Sequence, residues 1–266
     1  MTKLQLVALL LAVSLLFVFC KKEDQITNPI VVGNLVDTSG APPSLEVSFS
    51  AYANNLPLVA DSQWYKNTSN DYFTISKFNY YISNVKMKRE DGLVFTESNS
   101  YHLVKHIGGK TSFTITNLPP GNYSSIEFLI GVDSAMGVSG VHNGDLDVAN
   151  DMFWDWSTGY LFFKLEGAYM STDIPDPGSF YSMHIGGFQS GSSCLQKAAF
   201  TFSTAVVAKK GRQSSLRYKV MVDEIFMNPM KIGFDYYYKE VVKGPKIFSD
   251  ISANYKDMFV VDKIVN

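Results

Sequence analysis

The segment Ser44-Leu45-Glu46-Val47-Ser48-Phe49-Ser50 alternates polar and apolar side chains with a period of two. Successive side chains of a β-strand point to opposite faces of its sheet, so this alternation predicts a strand with one buried face. Further along the chain, Asp91-Gly92 has the composition of a hairpin turn, and Pro119-Pro120-Gly121-Asn122 that of a second turn. Many short strands joined by turns predict a mainly β fold, an antiparallel β-sandwich with few short helices.

Seven later segments also have the composition of strands. They are 72–87, 112–116, 123–131, 160–165, 180–185, 198–208 and 218–225. The segment 134–151 is rich in small and acidic residues and is predicted to be a loop with a helical turn. The segment 249–258 has the spacing of a short helix.

The overall composition indicates a globular protein without an obvious catalytic motif. The chain has 266 residues, of which 46% are hydrophobic and 18% charged, and its formal net charge of −2 gives no indication of a nucleic-acid partner. It contains no G-x-S-x-G, H-E-x-x-H, C-x-x-C or P-loop spacing. The sequence therefore favours a non-enzymatic binding protein over an enzyme.

The N-terminus has the pattern of an export signal. Lys3 precedes an almost unbroken apolar run at 4–19, which is short for a membrane span and fits a secretory signal peptide. Cys20 follows this run directly, so we expect lipid attachment there; ordinary cleavage and an uncleaved anchor are the alternatives. The predicted organisation is a signal peptide at 1–19, a lipid-anchored tether at 20–43 and one domain at 44–266. A lipoprotein of the cell envelope, in the outer membrane or facing the periplasm, is the expected location.

The second of the two cysteines is Cys194. If Cys20 carries lipid, Cys194 has no intrachain partner, which excludes a disulfide framework and leaves the core to stabilise the fold. Cys194 is interpreted either as a small buried hydrophobe or as a free thiol.

Two groups of polar residues contain side chains that bind metals in other proteins. His102 and His106 are four positions apart, which on a strand is the same face, and we interpret them as ordinary strand and loop histidines. An oxygen-rich loop, which can hold Ca²⁺, contains Asp145, Asp147, Asn150 and Asp151. The loop lacks the EF-hand pattern, so a solvated acidic loop is the preferred interpretation.

The most unusual segment is Met152-Phe153-Trp154-Asp155-Trp156-Ser157-Thr158-Gly159-Tyr160. In an extended segment Trp154 and Trp156 would share one face, either as part of the core or as a functional aromatic surface. A second notable residue, His184, lies inside an apolar strand and just before Gly186-Gly187, which permits close backbone approach. A lone histidine in that setting is usually a core residue.

Several blocks of the sequence, taken in order, resemble the MbnP-like family. They are Phe78-Asn79-Tyr80-Tyr81-Ile82-Ser83-Asn84-Val85, Tyr101-His102-Leu103-Val104, Gly131-Val132-Asp133-Ser134, the segment from Met152 to Tyr160, Lys164-Leu165-Glu166-Gly167, His184-Ile185-Gly186-Gly187 and Ala253-Asn254-Tyr255-Lys256-Asp257-Met258-Phe259. Together they cover roughly Ser44 to the end of the chain.

The resemblance implies a β-sandwich and an exported copper-binding protein. Characterised members of the family hold copper with histidines and with a tryptophan oxidised to kynurenine, a reaction attributed to a partner di-haem peroxidase of the MauG type. By position, His184 matches the family's histidine before the glycine pair, and Trp154 and Trp156 match the tryptophan block, with Trp154 the expected site of oxidation.

This sequence departs from the family pattern at one ligand. The family's second histidine, two residues after the oxidised tryptophan, is replaced by Trp156. Another histidine must then take its place, and His142 is the nearest upstream. The remaining candidates for a substitute ligand are Met152, Met183 and Cys194.

Two functional hypotheses follow from the sequence. The first is a protein that binds copper at the cell envelope through histidine and an oxidised tryptophan. The alternative is a surface interaction module that binds a glycan or a protein, without metal, through an aromatic patch around Trp154 and Trp156.

Overall fold

The first predicted strand is present as β1, Ser44–Ala53, in a computed structural model that describes residues 40–137, 142–155, 159–187, 193–241 and 246–266. Its side chains Leu45, Val47 and Phe49 are buried, as the alternation of the sequence predicts. The predicted signal peptide, Cys20, the tether as far as residue 39, and Trp156 lie outside the described residues.

The described residues form strands and short helices. The strands are β1, β2 (Leu56–Pro57), β3 (Tyr65–Lys66), β4 (Tyr72–Phe73), β5 (Lys77–Arg89), β6 (Val94–Thr96), β7 (Tyr101–Lys105), β8 (Ser112–Ile115), β9 (Gly121–Ile130), β10 (Phe153–Asp155), β11 (Gly159–Met170), β12 (Ser179–Gly186), β13 (Gln196–Ala208), β14 (Gln213–Met221) and β15 (Phe259–Val265). The helices are α1 (Ser134–Gly137), α2 (Phe234–Val241) and α3 (Lys246–Tyr255), with 3₁₀ turns at Gly144–Leu146, Val148–Asn150 and Val222–Phe226.

The strands form two sheets. The smaller sheet has the order β15-β14-β1-β2, with β8 also paired to β1. The larger sheet has the order β13-β9-β5-β11-β4-β3, with β6 and β7 paired to β5, and β10 and β12 paired to β11. The predicted mainly β fold, a β-sandwich with few short helices, is confirmed.

One strand pair departs from the predicted antiparallel arrangement. β1 and β14 run parallel, from Ser44 opposite Gln213 to Tyr52 opposite Met221. A period of two shows which face of a strand is buried, but it does not encode the direction of the neighbouring strand. The remaining pairs described in the two sheets are antiparallel.

The C-terminal part contains further differences from the sequence-based prediction. The strand expected at 218–225 is β14, which ends at Met221, and a 3₁₀ turn follows it. The helix expected at 249–258 begins earlier, at Lys246, and ends at Tyr255. Neither α2 nor β15 was expected, because helix and strand signals are short and overlap in this region.

Aromatic side chains fill the space between the two sheets. Phe49 of the smaller sheet packs against Tyr80 of the larger one, with ring centroids 6.0 Å apart. Phe128 of β9 packs against Phe259 of β15 at 5.4 Å. Such edge-on aromatic contacts bury large apolar areas and join the sheets into one core.

In the described part of the chain, no helix has both the length and the apolar composition needed to cross a membrane.

Candidate functional site

His184 lies on the outer face of the larger sheet, and the core interpretation of this residue is therefore wrong. Along β12, Tyr181, Met183 and Ile185 point into the core, whereas His184 is half-buried on the opposite face. The strand register places His184 beside Lys164 of β11. The alternation that made the strand recognisable thus also turns the imidazole away from the core.

A carboxylate holds the imidazole of His184. Nε2 of His184 is 2.6 Å from Oε1 of Glu166, one strand away. In the neutral ring Nε2–H donates to this carboxylate, which leaves the lone pair on Nδ1. Burial favours a higher pKa for Glu166, but the hydrogen bond from His184 and the charges of Lys164, Lys77 and His184 together lower that pKa below its usual value.

A lysine in the middle of β11 connects this pair to the loop before β10. The side chain of Lys164 is 5% exposed, and its Nζ lies 2.7 Å from Oδ2 of Asp151 and 3.5 Å from Oε1 of Glu166. Lys77 of β5 reaches the same two carboxylates from a more exposed position, at 2.9 and 3.7 Å. Hydrogen bonds from Lys164 and Lys77 lower the pKa of Asp151 to about 2. We call these four residues and His184 the outer-face cluster.

The polar side chains of the loop before β10 bond to two lysines outside the loop and to a backbone amide within it. Asp145 accepts a bond of 2.6 Å from Nζ of Lys110, Asp147 accepts from the amide of Ala149, and Asn150 accepts from Nζ of Lys105. The carboxylates of this loop therefore have partners within the protein. In the part of the chain that the structure describes, no group of three or more His, Cys, Asp or Glu side chains is arranged to hold a metal ion.

Trp154 is half-exposed, so it is not a core residue. It lies in β10 next to Phe153, whose ring packs against Tyr160 at 5.1 Å, and its own side chain is 50% exposed by relative area. Met152, just before this strand, is buried, and its sulfur is 3.9 Å from Nδ2 of Asn79. Trp156, the second residue of the predicted pair, falls outside the described residues.

The structure does not bring all the candidate ligands together. Phe153 pairs with Tyr160 and Asp155 with Gly159, whereas His184 pairs with Lys164, so Trp154 and His184 are four to five residues, about 15 Å, apart along β11. His142 is half-buried and precedes the 3₁₀ turn at Gly144–Leu146. Among the contacts described, neither Trp154 nor His142 touches His184.

The other two histidines have structural partners. Nε2 of His102 is 2.8 Å from Glu97, and its ring stacks on Phe113 at 3.7 Å. His106 stacks on Phe78 at 4.7 Å. These contacts agree with the interpretation of both as strand and loop histidines.

Cys194 is a buried hydrophobe. It is 1% exposed, and burial raises the pKa of its thiol to about 11. At neutral pH the thiol is therefore protonated and a poor nucleophile or metal ligand, which favours the structural interpretation.

Sequence reasoning did not identify the roles of Lys164, Glu166 and Asp151. The block Lys164-Leu165-Glu166-Gly167 contained a signal, because two charged residues at alternate positions continue an apolar strand. Gly167 of this block is required for packing, since a Cβ there would lie 2.0 Å from the backbone oxygen of Thr74. The block thus combines a tight strand contact with two polar members of the site.

Three other blocks of the family resemblance, which contain Asn84, Tyr101 and Asp133, meet at a second cluster of polar side chains. Oδ1 of Asp133 accepts a bond of 3.1 Å from the hydroxyl of Tyr101 and another from the amide of Ala135, and Oδ2 accepts from Nδ2 of Asn84. Asp133 thus fixes the loop after β9 to β5 and β7, so the presence of these three blocks is explained by their role in the fold.

Comparison with known proteins gives a family match. The model of the family described as MbnP matches residues 42–241, so the block at 253–259 lies beyond it. Among solved structures, the chain is similar to MbnP from Methylosinus trichosporium, with 12% identity and a TM-score of 0.49 over 72% of this chain and 81% of that one. No curated protein matches the chain.

Proposed function

The chain belongs to the MbnP family, and from that premise we propose that it is a non-enzymatic protein of the cell envelope that binds copper through His184 and an oxidised Trp154. Membership of the family supports a binding role. Copper as the bound metal, the oxidation of Trp154 and the location in the cell envelope are what we propose.

The observation that carries the proposal is the pair formed by His184 and Glu166. Metal-binding histidines usually donate their second ring N–H to a carboxylate, which fixes the tautomer and makes the ring a better donor. The bond of 2.6 Å from Nε2 to Glu166 matches this arrangement. Nδ1 of His184 would then be the copper ligand, and imidazole is a donor that suits copper.

Trp154 is proposed to supply the second donor after oxidation. A neutral indole offers no lone pair on nitrogen, whereas kynurenine has an aryl amine and a carbonyl. A partner di-haem peroxidase of the MauG type, using two equivalents of peroxide as oxidant, would cleave the indole C2–C3 bond, and hydrolysis would release C2 as formate. The half-exposed position of Trp154 supports access for this enzyme. His142 and Trp156 remain the further candidate ligands.

A copper titration with matched histidine variants tests the proposal. The protein is purified with and without a co-expressed peroxidase, and Cu(I) binding is measured by competition with a chromophoric chelator. We expect His184→Ala to weaken binding by about tenfold or more, because a ligand is removed. His102→Ala is the control, since His102 also pairs with a glutamate, at 2.8 Å, but lies on β7.

Peptide mass mapping tests the modification in the same samples. The peptide with Trp154 should have exchanged a carbon for an oxygen after co-expression. Tight copper binding with an intact Trp154 would show that oxidation is not needed. No tight binding in either sample would contradict the copper proposal.

We further propose that the protein is an exported lipoprotein attached through Cys20. The basis is the position of the cysteine directly after the apolar run at 4–19. Replacing Cys20 with Ser should move the protein from the membrane fraction to the soluble fraction. An unchanged distribution between the two fractions would contradict lipid attachment.

The alternative function is an interaction module without metal. Large apolar side chains are exposed on described strands, among them Phe180 at 76%, Trp154 at 50% and Tyr72 at 44%. Exposed aromatic side chains of this kind can stack on sugars or dock a protein. This candidate is favoured if the protein binds no copper.

A further inference from the structure

The ammonium group of Lys164 joins two parts of the candidate site. On one side its Nζ is 3.5 Å from Oε1 of Glu166, the same oxygen that contacts Nε2 of His184. On the other side it lies 2.7 Å from Oδ2 and 3.1 Å from the backbone oxygen of Asp151. Asp151 begins the segment that continues into β10 and Trp154.

Burial makes this arrangement rigid. The Lys164 side chain is 5% exposed, and an ammonium group removed from water is costly unless carboxylates and hydrogen bonds compensate for it. Any movement of Asp151 or Glu166 away from Nζ would leave a buried charge without part of its compensation. The three groups are therefore held at fixed positions relative to one another.

The segment after Asp151 is attached to the sheet by further contacts. Met152 is buried, and its backbone oxygen accepts a bond of 2.9 Å from the amide of Leu161. Trp154, in contrast, is half-exposed. Trp154 lies two residues after Met152, so the contacts of Asp151 and Met152, together with the packing of Phe153 against Tyr160, position the strand that carries it.

We propose that Lys164 is a positioning residue of the candidate site, which holds the Glu166–His184 pair and the strand that carries Trp154 in one fixed arrangement. This inference takes from the proposed function only that His184 and Trp154 are the site residues. It is tested on metal-free protein, so failure to bind copper would not affect the result.

Lys77 provides a matched control for Lys164. Its Nζ contacts the same carboxylates, at 2.9 Å from Asp151 and 3.7 Å from Glu166, but its side chain is 36% exposed. Exposed ion pairs contribute little to stability because water screens them. If the positive charge alone held the site in place, replacing either lysine would disturb the site to a similar extent. If the buried position of the ammonium group is what matters, only replacement of Lys164 disturbs it strongly.

The experiment compares full-length Lys164→Met and Lys77→Met with wild type by NMR. Exchange of the Leu161 amide reports whether the segment with Met152 stays docked, and the ¹⁵N shifts of the His184 ring report its tautomer. For Lys164→Met we expect Leu161 exchange to rise about tenfold. In the neutral ring of His184, the share of the Nε2–H tautomer should fall, because Glu166 is no longer held in place.

Lys77→Met should leave exchange within about threefold and the tautomer unchanged, in line with the small contribution of exposed pairs. Unchanged exchange and tautomer in a folded Lys164→Met protein would overturn the proposal. If Lys164→Met does not fold, Asp151→Asn decides, since the side chain of Asp151 is 66% exposed and can be changed without disturbing the core. The Asp151→Asn variant should speed exchange of the Leu161 amide and leave the His184 tautomer unchanged. Unchanged exchange of the Leu161 amide would overturn the proposal.

Discussion

At the scale of single residues, His106 shows how packing changes the chemistry of a side chain. Although the residue keeps some exposed surface, its ring stacks on Phe78 at 4.7 Å, and Nε2 is 3.1 Å from the hydroxyl of Tyr80. Burial disfavours the charged ring and lowers the pKa of His106 from 6.5 to about 3. The residue therefore remains neutral in the folded protein under mildly acidic conditions.

This shift predicts a loss of stability in mild acid. Between pH 6.5 and pH 3 the unfolded chain takes up a proton at His106 that the folded protein does not, so the free energy of unfolding falls as the pH falls. The expected contribution is about 2 kcal/mol between about pH 6.5 and pH 4.5. Urea unfolding across this range measures it.

The comparison for this prediction is His106→Asn, which has no titrating ring. Carboxylates also change protonation in this range, so the difference in slope between the two proteins isolates the histidine. If the free energy of unfolding changed with pH equally in wild type and variant, the buried ring of His106 would not control the pH dependence of stability.

At the scale of elements, helix α2 covers the open edge of β12. The hydroxyl of Tyr237 donates to the backbone oxygen of Ser182, and that of Tyr238 to the oxygen of Phe180, each at 3.0 Å. Carbonyls at alternate residues of a strand point to the same side, which here is the side away from β11. Uncovered edges tend to pair with other chains, so α2 protects this strand from association.

This arrangement predicts that the double variant Tyr237→Phe, Tyr238→Phe is both less stable and more prone to associate. Two hydrogen bonds are lost from backbone oxygens, which should lower the free energy of unfolding by about 1–3 kcal/mol. Light scattering should detect self-association that the wild type lacks at the same concentration.

The matched control is Tyr236→Phe in the same helix. Its hydroxyl makes no hydrogen bond to any residue that the structure describes, so the change should be nearly neutral. Equal behaviour of the control and the double variant would contradict the protective role of α2.

At the scale of the whole molecule, Phe259 at the start of β15 joins the two sheets. Its ring centroid lies 5.9 Å from Phe49 of the smaller sheet, and 5.5 and 5.4 Å from Tyr80 and Phe128 of the larger sheet. This residue lies beyond 42–241, the region that matches the family model. The sandwich of this chain therefore includes packing contacts from outside the matched region.

We predict that Phe259→Ala lowers the free energy of unfolding by about 3–5 kcal/mol, because it leaves a cavity between the sheets. Val265→Ala, in the same strand, should change it by less than about 0.5 kcal/mol, since Val265 is 47% exposed. Chemical denaturation of both variants provides the measurement. A small effect of Phe259→Ala would mean that β15 is not part of the cooperative core.

The sequence by itself determined the fold class, most strand positions and the family. These features are local: alternation in β1, the turn at Asp91-Gly92 and short blocks such as the one around His184 can each be read from neighbouring residues. The sequence also identified His184 as a candidate ligand through the family resemblance. It did not show that the side chain faces outward onto a carboxylate.

Only the tertiary structure decided which strands pair and which charges meet. β1 pairs with β14 in parallel, and Lys164 lies between Glu166 and Asp151, because segments far apart in sequence are brought together by burial of the aromatic core. A period of two specifies a buried face but leaves the partner strand and its register open. The outer-face cluster depends on that register, since β5, β11 and β12 must align before its side chains can touch. The physical reason is that strand pairing and ion pairing are long-range contacts, whose geometry no local pattern contains.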